Sequence, residues 1–135
     1  MLRRFSVSLE DGLLADFDDF IKRRQYTNRS EAIRDLIRRE FVQEEWGEDK
    51  EVIGVISLVY DHHQFQILER INDIQHDHHQ MITSTTHVHM DHDNCLEILI
   101  VRGRASMVRQ LADRLIALRG VKDGHLAMTS TAQSF

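Results

Sequence analysis

The segment from Thr86 to Glu97 constrains this chain more than any other. It reads Thr-His-Val-His-Met-Asp-His-Asp-Asn-Cys-Leu-Glu, with His87 and His89 two residues apart and the only cysteine, Cys95, six residues further on. Alternate side chains of a strand share a face, so both imidazoles point the same way. Asp91 to Asn94 are polar and turn-forming, which returns Cys95 beside the histidines at the start of the next strand. Two imidazoles and a thiolate converging on one point suit a late transition metal. A second group, Gln75-His76-Asp77-His78-His79, lies upstream and can supply a fourth ligand. A hairpin with this spacing belongs to a sheet, and the sheet must be built around it.

The remaining pattern supplies that sheet. Val52 to Tyr60 is apolar and β-rich. Residues from His62 to about His78 repeat at helical spacing through Phe65, Leu68, Ile71 and Ile74. Met81–Met90 and Cys95–Val101 read as strands, Ala105–Leu118 as a helix, and Val121–Thr129 as a last strand. The order βαββαβ is the ferredoxin-like pattern, with helices on one face of an antiparallel sheet. Upstream, Phe5, Val7 and Leu9 alternate with Arg4, Ser6 and Ser8, which predicts a short strand over residues 3–9. Leu13, Leu14, Phe17, Phe20 and Ile21 follow at helical spacing. Asn28 can cap a second helix striped by Ile33, Leu36, Ile37 and Phe41, with Glu31 placed to complete a capping box. Strand–helix–helix in some 45 residues buries too little to stand alone and needs a partner chain. The charged run 43–51 reads as a linker or frayed helix end. The fold class is therefore α+β, in two domains: residues 1–46 and 51–130.

Composition limits the function. The 135-residue chain is 41% hydrophobic, enough for a core, and no apolar run approaches a membrane span. No signal-like leader is visible and one cysteine fits a reducing compartment, so a cytoplasmic protein without membrane contact is expected. The formal net charge is −5, from 17 Lys+Arg against 22 Asp+Glu. Any DNA contact must then rest on locally placed groups rather than a broad basic field.

Such groups are present in the first half. Strands of two chains can pair into an antiparallel ribbon that enters the DNA major groove. Arg4 would then donate to guanine O6 and N7, with Ser6 and Ser8 at neighbouring base edges. Asn28, Arg29 and Ser30 open a helix whose free N–H groups suit a phosphate. The plainer reading is a dimerisation arm, which needs no such specific sequence after the turn.

Arg4–Leu9, Tyr26–Asp35, Gln75-His76, Thr86–His89, Asp93–Glu97 and Gly120–Leu126 together resemble the nickel-responsive repressors of the ribbon-helix-helix superfamily. The resemblance covers nearly the whole chain. It implies an N-terminal ribbon-helix-helix (βαα) domain and a C-terminal ACT-like domain that builds a homotetramer, a dimer of dimers on a palindromic operator in double-stranded DNA. It implies one Ni(II) per chain in a square-planar site of three nitrogens and one sulfur. His87, His89 and Cys95 would come from one subunit and His76 from a neighbour. Gln75 and Glu97 are the expected supports of these ligands. It further implies a potassium site with Glu31 and Asp35, completed by carbonyls near Ile116, Leu118 and Val121. Repression of nickel-uptake genes is the family expectation.

Other readings remain open. The residues would also bind cobalt, copper or zinc, and a metal storage or delivery protein would explain the histidines but leave Arg4, Ser6 and Ser8 without a purpose. A Cys95 nucleophile with a histidine base lacks an oxyanion hole and a third orienting group, so no enzyme is expected. His62, His63, His78 and His79 read as surface residues with at most weak auxiliary metal sites, with Asp77 interrupting the second pair's cluster. His92 reads as a turn residue, His125 as structural, and Trp46 and Tyr60 as packing residues. The tail 131–135 is expected to be loose.

Overall fold

The computed structural model describes residues 1–133, so Ser134 and Phe135 of the expected loose tail lie outside the described residues. Two compact units divide within one helix, between Glu40 and Phe41. None of the described helices is long and apolar enough to cross a membrane.

The first unit holds α1 (Asp11–Arg24) and the start of α2 (Arg29–Gly47). Gln25 ends α1 in the left-handed region at φ 62°, and the Tyr26 N–H returns to the Ile21 carbonyl. Asn28 caps α2 as expected, its Oδ1 accepting the Glu31 N–H at 2.9 Å. The reciprocal half of the capping box is not made, because the Glu31 carboxylate pairs with Arg34 instead. Arg29 reaches back to Asp18 through two 2.9 Å bonds and ties the helices together. This hydrogen bond to Arg29 holds the Asp18 carboxyl below its usual range.

The strand expected over residues 3–9 is not formed: residues 1–10 carry no regular element. A strand exists through its hydrogen-bonded neighbour, and a single chain offers this segment none. Phe5 and Val7 are accordingly 69% and 57% exposed. Only Ile21 and Ala32 are buried in the unit, while Leu13, Leu36 and Ile37 stay open. Val7, Leu9, Leu13, Leu14, Phe17 and Ile33 line an apolar groove there.

The second unit is the sheet-and-helix layer that the pattern predicts. β1 (Glu51–Asp61), α3 (Phe65–Asp77), β2 (Ile82–His89), β3 (Asn94–Arg104), α4 (Ala105–Ile116) and β4 (Val121–Thr129) follow in order. The strands lie β2-β3-β1-β4, every pair antiparallel. Val52, Ile56, Leu58 and Tyr60 of β1 and Cys95, Glu97, Leu99 and Val101 of β3 form the inner face. Ile67, Ile71 and Ile74 of α3 and Val108, Leu111 and Leu115 of α4 join them in one core.

Two boundaries differ from expectation. The charged run 43–51 is largely helical, because Val42 and Trp46, four residues apart, turn one face of α2 into this core. The Trp46 indole N–H donates to the Thr129 carbonyl at 3.1 Å. The helix expected from His62 starts at Phe65, since the Asp61 carboxylate accepts the His63 N–H at 2.9 Å and holds a turn.

Gly54 marks the tightest approach of α4 to the sheet. A Cβ there would lie 2.7 Å from Val108 Cγ1 and 3.0 Å from Leu126 Cδ1. Valine is stiff about χ1, so neither the strand nor the helix yields cheaply. Gly54→Ala should lower stability by about 1–3 kcal/mol, as overpacking typically does, read as a lower urea midpoint at unchanged slope.

Candidate metal centre

The hairpin β2–β3 brings the predicted ligands together in pairs. His89 stands opposite Cys95 and His87 opposite Glu97 in the register, so all four lie on the helix-covered face of the sheet. Because β2 is the edge strand, His87 remains half exposed, whereas Cys95 and Glu97 are buried beneath α3. The turn is fixed by Asp91, whose Oδ1 accepts the N–H groups of Asp93 at 2.9 Å and Asn94 at 2.8 Å. Those bonds, Asn94's first, keep the Asp91 carboxyl below its usual range.

Glu97 organises the site. Its Oε1 accepts Gln75 Nε2 at 2.6 Å and lies 3.2 Å from His87 Nε2, while Oε2 accepts the Tyr60 hydroxyl at 2.7 Å. Burial first, and then the bond to Glu97, push the Tyr60 phenol well above its usual value, so it remains a donor. The other ring nitrogen of His87 is Nδ1. That atom sits 3.7 Å from Cys95 Sγ. The separation is shorter than two metal–ligand bonds end to end, about 2.0 Å to nitrogen and 2.3 Å to sulfur. One ion can therefore touch both, and the donor set fits a nickel-type cation.

The fourth predicted ligand is not in this group. His76 lies exposed near the end of α3, its ring 6.2 Å from that of His79, although its neighbour Gln75 reaches Glu97. The ring nitrogens of His78 and His79 contact helix-end carbonyls, Ile74 at 2.9 Å and His76 at 3.0 Å, which gives both rings a capping role. His125 pairs with Asp123. Tyr60 was expected only to pack, yet it is part of the site. The alternation of β1 shows that it faces inward, but the β1–β3 register placing it opposite Cys95 is a property of the sheet.

In the first unit, Arg4, Ser6 and Ser8 are exposed, as are Asn28, Arg29 and Ser30. Arg29 is engaged by Asp18, and Asn28 by its capping bond. Glu31 is paired with Arg34, and Asp35 accepts Tyr26 and pairs with Arg39 at 3.0 Å.

Known proteins share this organisation. The family described as the NikR C terminal nickel binding domain matches residues 53–129, and the ribbon-helix-helix proteins of the copG family match residues 3–44. A candidate nickel-responsive regulator of Desulfotalea psychrophila is 63% identical over 134 residues, covering 99% of this chain and 98% of the relative. Another, from Syntrophus aciditrophicus, is 55% identical over 96% of this chain and 95% of its own length. Among solved structures, an uncharacterised Thermotoga maritima protein shares the fold at TM-score 0.53 and 11% identity, over 58% of this chain and 96% of its own. The chain belongs to the family of nickel-responsive regulators, a ribbon-helix-helix DNA-binding half joined to a NikR-type nickel-binding half.

Proposed function

We propose that this protein is a cytoplasmic, nickel-dependent, sequence-specific repressor of nickel-uptake genes. His87, His89 and Cys95 of one subunit and His76 of another hold one Ni(II) per chain in a square plane. The observation that carries the reading is the placement of His87, whose Nδ1 lies 3.7 Å from Cys95 Sγ while Nε2 lies 3.2 Å from Glu97 Oε1. Imidazole and thiolate are the ligands such a site calls for. The exposed position of His76 near the end of α3 supports its use by a neighbouring subunit.

Residues 3–9 gain their missing ladder by pairing with the same segment of a second copy. That pairing also covers Phe5, Val7 and the open groove. It sets Arg4, Ser6 and Ser8 on the outer face of a ribbon for the major groove, and leaves the α2 N-terminus at Asn28–Ser30 for a phosphate. Two such dimers on one tetramer read a palindromic operator. Nickel favours operator binding because it binds the DNA-competent arrangement better, and the reciprocal must hold. Glu31 and Asp35 contribute to a potassium site in the operator complex, exchanging their present partners for the cation.

Titrating apo protein with Ni(II) should produce a thiolate-to-nickel charge-transfer band that saturates at one ion per chain and is absent from Cys95→Ala. A featureless or octahedral spectrum would remove Cys95 from the site. Glu97→Gln keeps the shape but weakens the anchor of His87, and should reduce nickel affinity by about 10–100-fold. The shared site has its own test. Neither His76→Ala nor Cys95→Ala should show nickel-dependent operator binding, but mixing and reassembling the two should recover part of the band. A mixture that recovers none of it would place all four ligands in one chain.

A further inference from the structure

The last turns of α2 are poorly built to stand as a helix on their own. Glu44 and Glu45 lie near its carboxyl end, no basic residue lies in its last turn, and Glu48 and Glu51 follow closely. The helix dipole leaves partial negative charge at that end, so carboxylates there are unfavourable and the turn is prone to fray. Phe41, Glu44, Glu45, Glu48, Glu51 and Thr131 line a cavity of about 410 Å³, which brings the segment after β4 beside this acidic end.

That segment supplies what the helix lacks. Ser130 Oγ donates to the Glu45 carboxylate, 3.0 Å from Oε1 and 3.1 Å from Oε2, although the two residues are 85 positions apart. The same oxygen accepts the Ala132 N–H at 2.8 Å, and Ala132 turns the chain at φ 60°. One residue earlier, the Thr129 carbonyl accepts the Trp46 indole N–H at 3.1 Å. Arg109 of α4 lies over the Trp46 ring at 5.6 Å, and its Nη2 reaches Met128 Sδ at 3.5 Å. Neighbouring residues after the sheet, Thr129 and Ser130, thus hold neighbouring residues of the helix, Trp46 and Glu45. Glu45 is 9% exposed, a burial at which a carboxylate needs such a donor.

The helix so held runs through both units, whose division falls between Glu40 and Phe41. Along the chain, whatever the second unit does to the first passes through these last turns. We propose that residues 129–132 are a strap that fixes the carboxyl end of α2 on the second unit, with Ser130 a positioning residue through which nickel occupancy is felt at the operator. The inference rests on the reading of the protein as a nickel-dependent repressor. Ser130 contacts Glu45 and Ala132 rather than a proposed metal ligand or DNA-reading residue. Without the strap nickel still binds, but a frayed α2 end passes less of its binding energy to the DNA-binding half.

The test compares full-length wild type, Ser130→Ala and Ser130→Thr, with a duplex selected by wild type from a random-sequence pool in Ni(II) as the operator. Trp46 is the only tryptophan, so its emission reports the strap directly. In Ser130→Ala that emission should shift to the red and acrylamide quenching should rise, and the amides of residues 44–48 should exchange faster while those of β1 and β3 do not. The charge-transfer band should keep its wild-type form and stoichiometry. The gain in operator affinity that nickel brings should fall about fivefold or more, and Ser130→Thr, which keeps the hydroxyl, should restore it. A merely stabilising contact would lower the urea midpoint and leave that gain untouched. Wild-type quenching in Ser130→Ala, an unchanged nickel gain despite an exposed Trp46, or no recovery in Ser130→Thr would each overturn the strap. A wild type that selects no duplex in Ni(II) would instead overturn the repressor reading, and the strap would then stand or fall on the quenching and exchange of Ser130→Ala.

Discussion

One carboxylate, Glu97, determines how the second unit works. It sits 1% exposed on an inner strand, a position where an acidic side chain is destabilising unless its oxygens are satisfied. Tyr60 from β1 and Gln75 from α3 satisfy them, and His87 from β2 stands 3.2 Å away, so the group brings three elements to one point. Removing any donor would leave a buried acceptor short of a partner, a penalty of about 1–3 kcal/mol. The network therefore fixes where α3 lies on the sheet. His87 presents Nε2 to the same carboxylate and Nδ1 to Cys95.

The placement of His87 on an edge strand follows the same logic. An imidazole on β1 or β3 would be covered by the helices, whereas β2 leaves its side chains half open. Cys95, one strand inward, is nearly closed off. The pair thus presents an accessible nitrogen and a protected sulfur. That asymmetry keeps the sulfur from solvent while the nitrogen stays reachable.

Much of this was legible in the residues because it rests on period and spacing. The alternation from Val52 to Tyr60, the helical repeat through Phe65, Leu68, Ile71 and Ile74, and the two-residue step from His87 to His89 each specify an element or a face directly. Glu97 and Gln75 could be named as supports because they flank ligands along the chain. Tyr60 could not, since it meets Cys95 only through strand register, from far along the chain. The run 43–51 reads as a linker or frayed helix end because its charges mask the inward Trp46, and a count of charges is blind to a face. The strand at 3–9 was read from a pattern whose partner lies outside the chain.

Both halves of this molecule are incomplete in ways that a second copy would mend. In the first unit the lack is apolar: open side chains and an unpaired segment. Completing it is governed by protein concentration and by burial at about 25 cal/mol per Å². In the second unit, on the proposed reading, the lack would be a ligand, because His87, His89 and Cys95 share one face of the hairpin and His76 lies outside that group. Completing it would then be governed by the metal. If ribbon pairing were as weak as a lone hairpin it would itself need nickel, and metal would control dimerisation. The exposed apolar groove argues otherwise, since its burial is available whether or not metal is present. On the proposed reading, dimerisation of the first unit would be constitutive, and the metal would act on what remains adjustable, the order of the second unit. A sensor built this way would respond through geometry rather than through assembly, which is the form of control that can distinguish one metal's preferred coordination from another's.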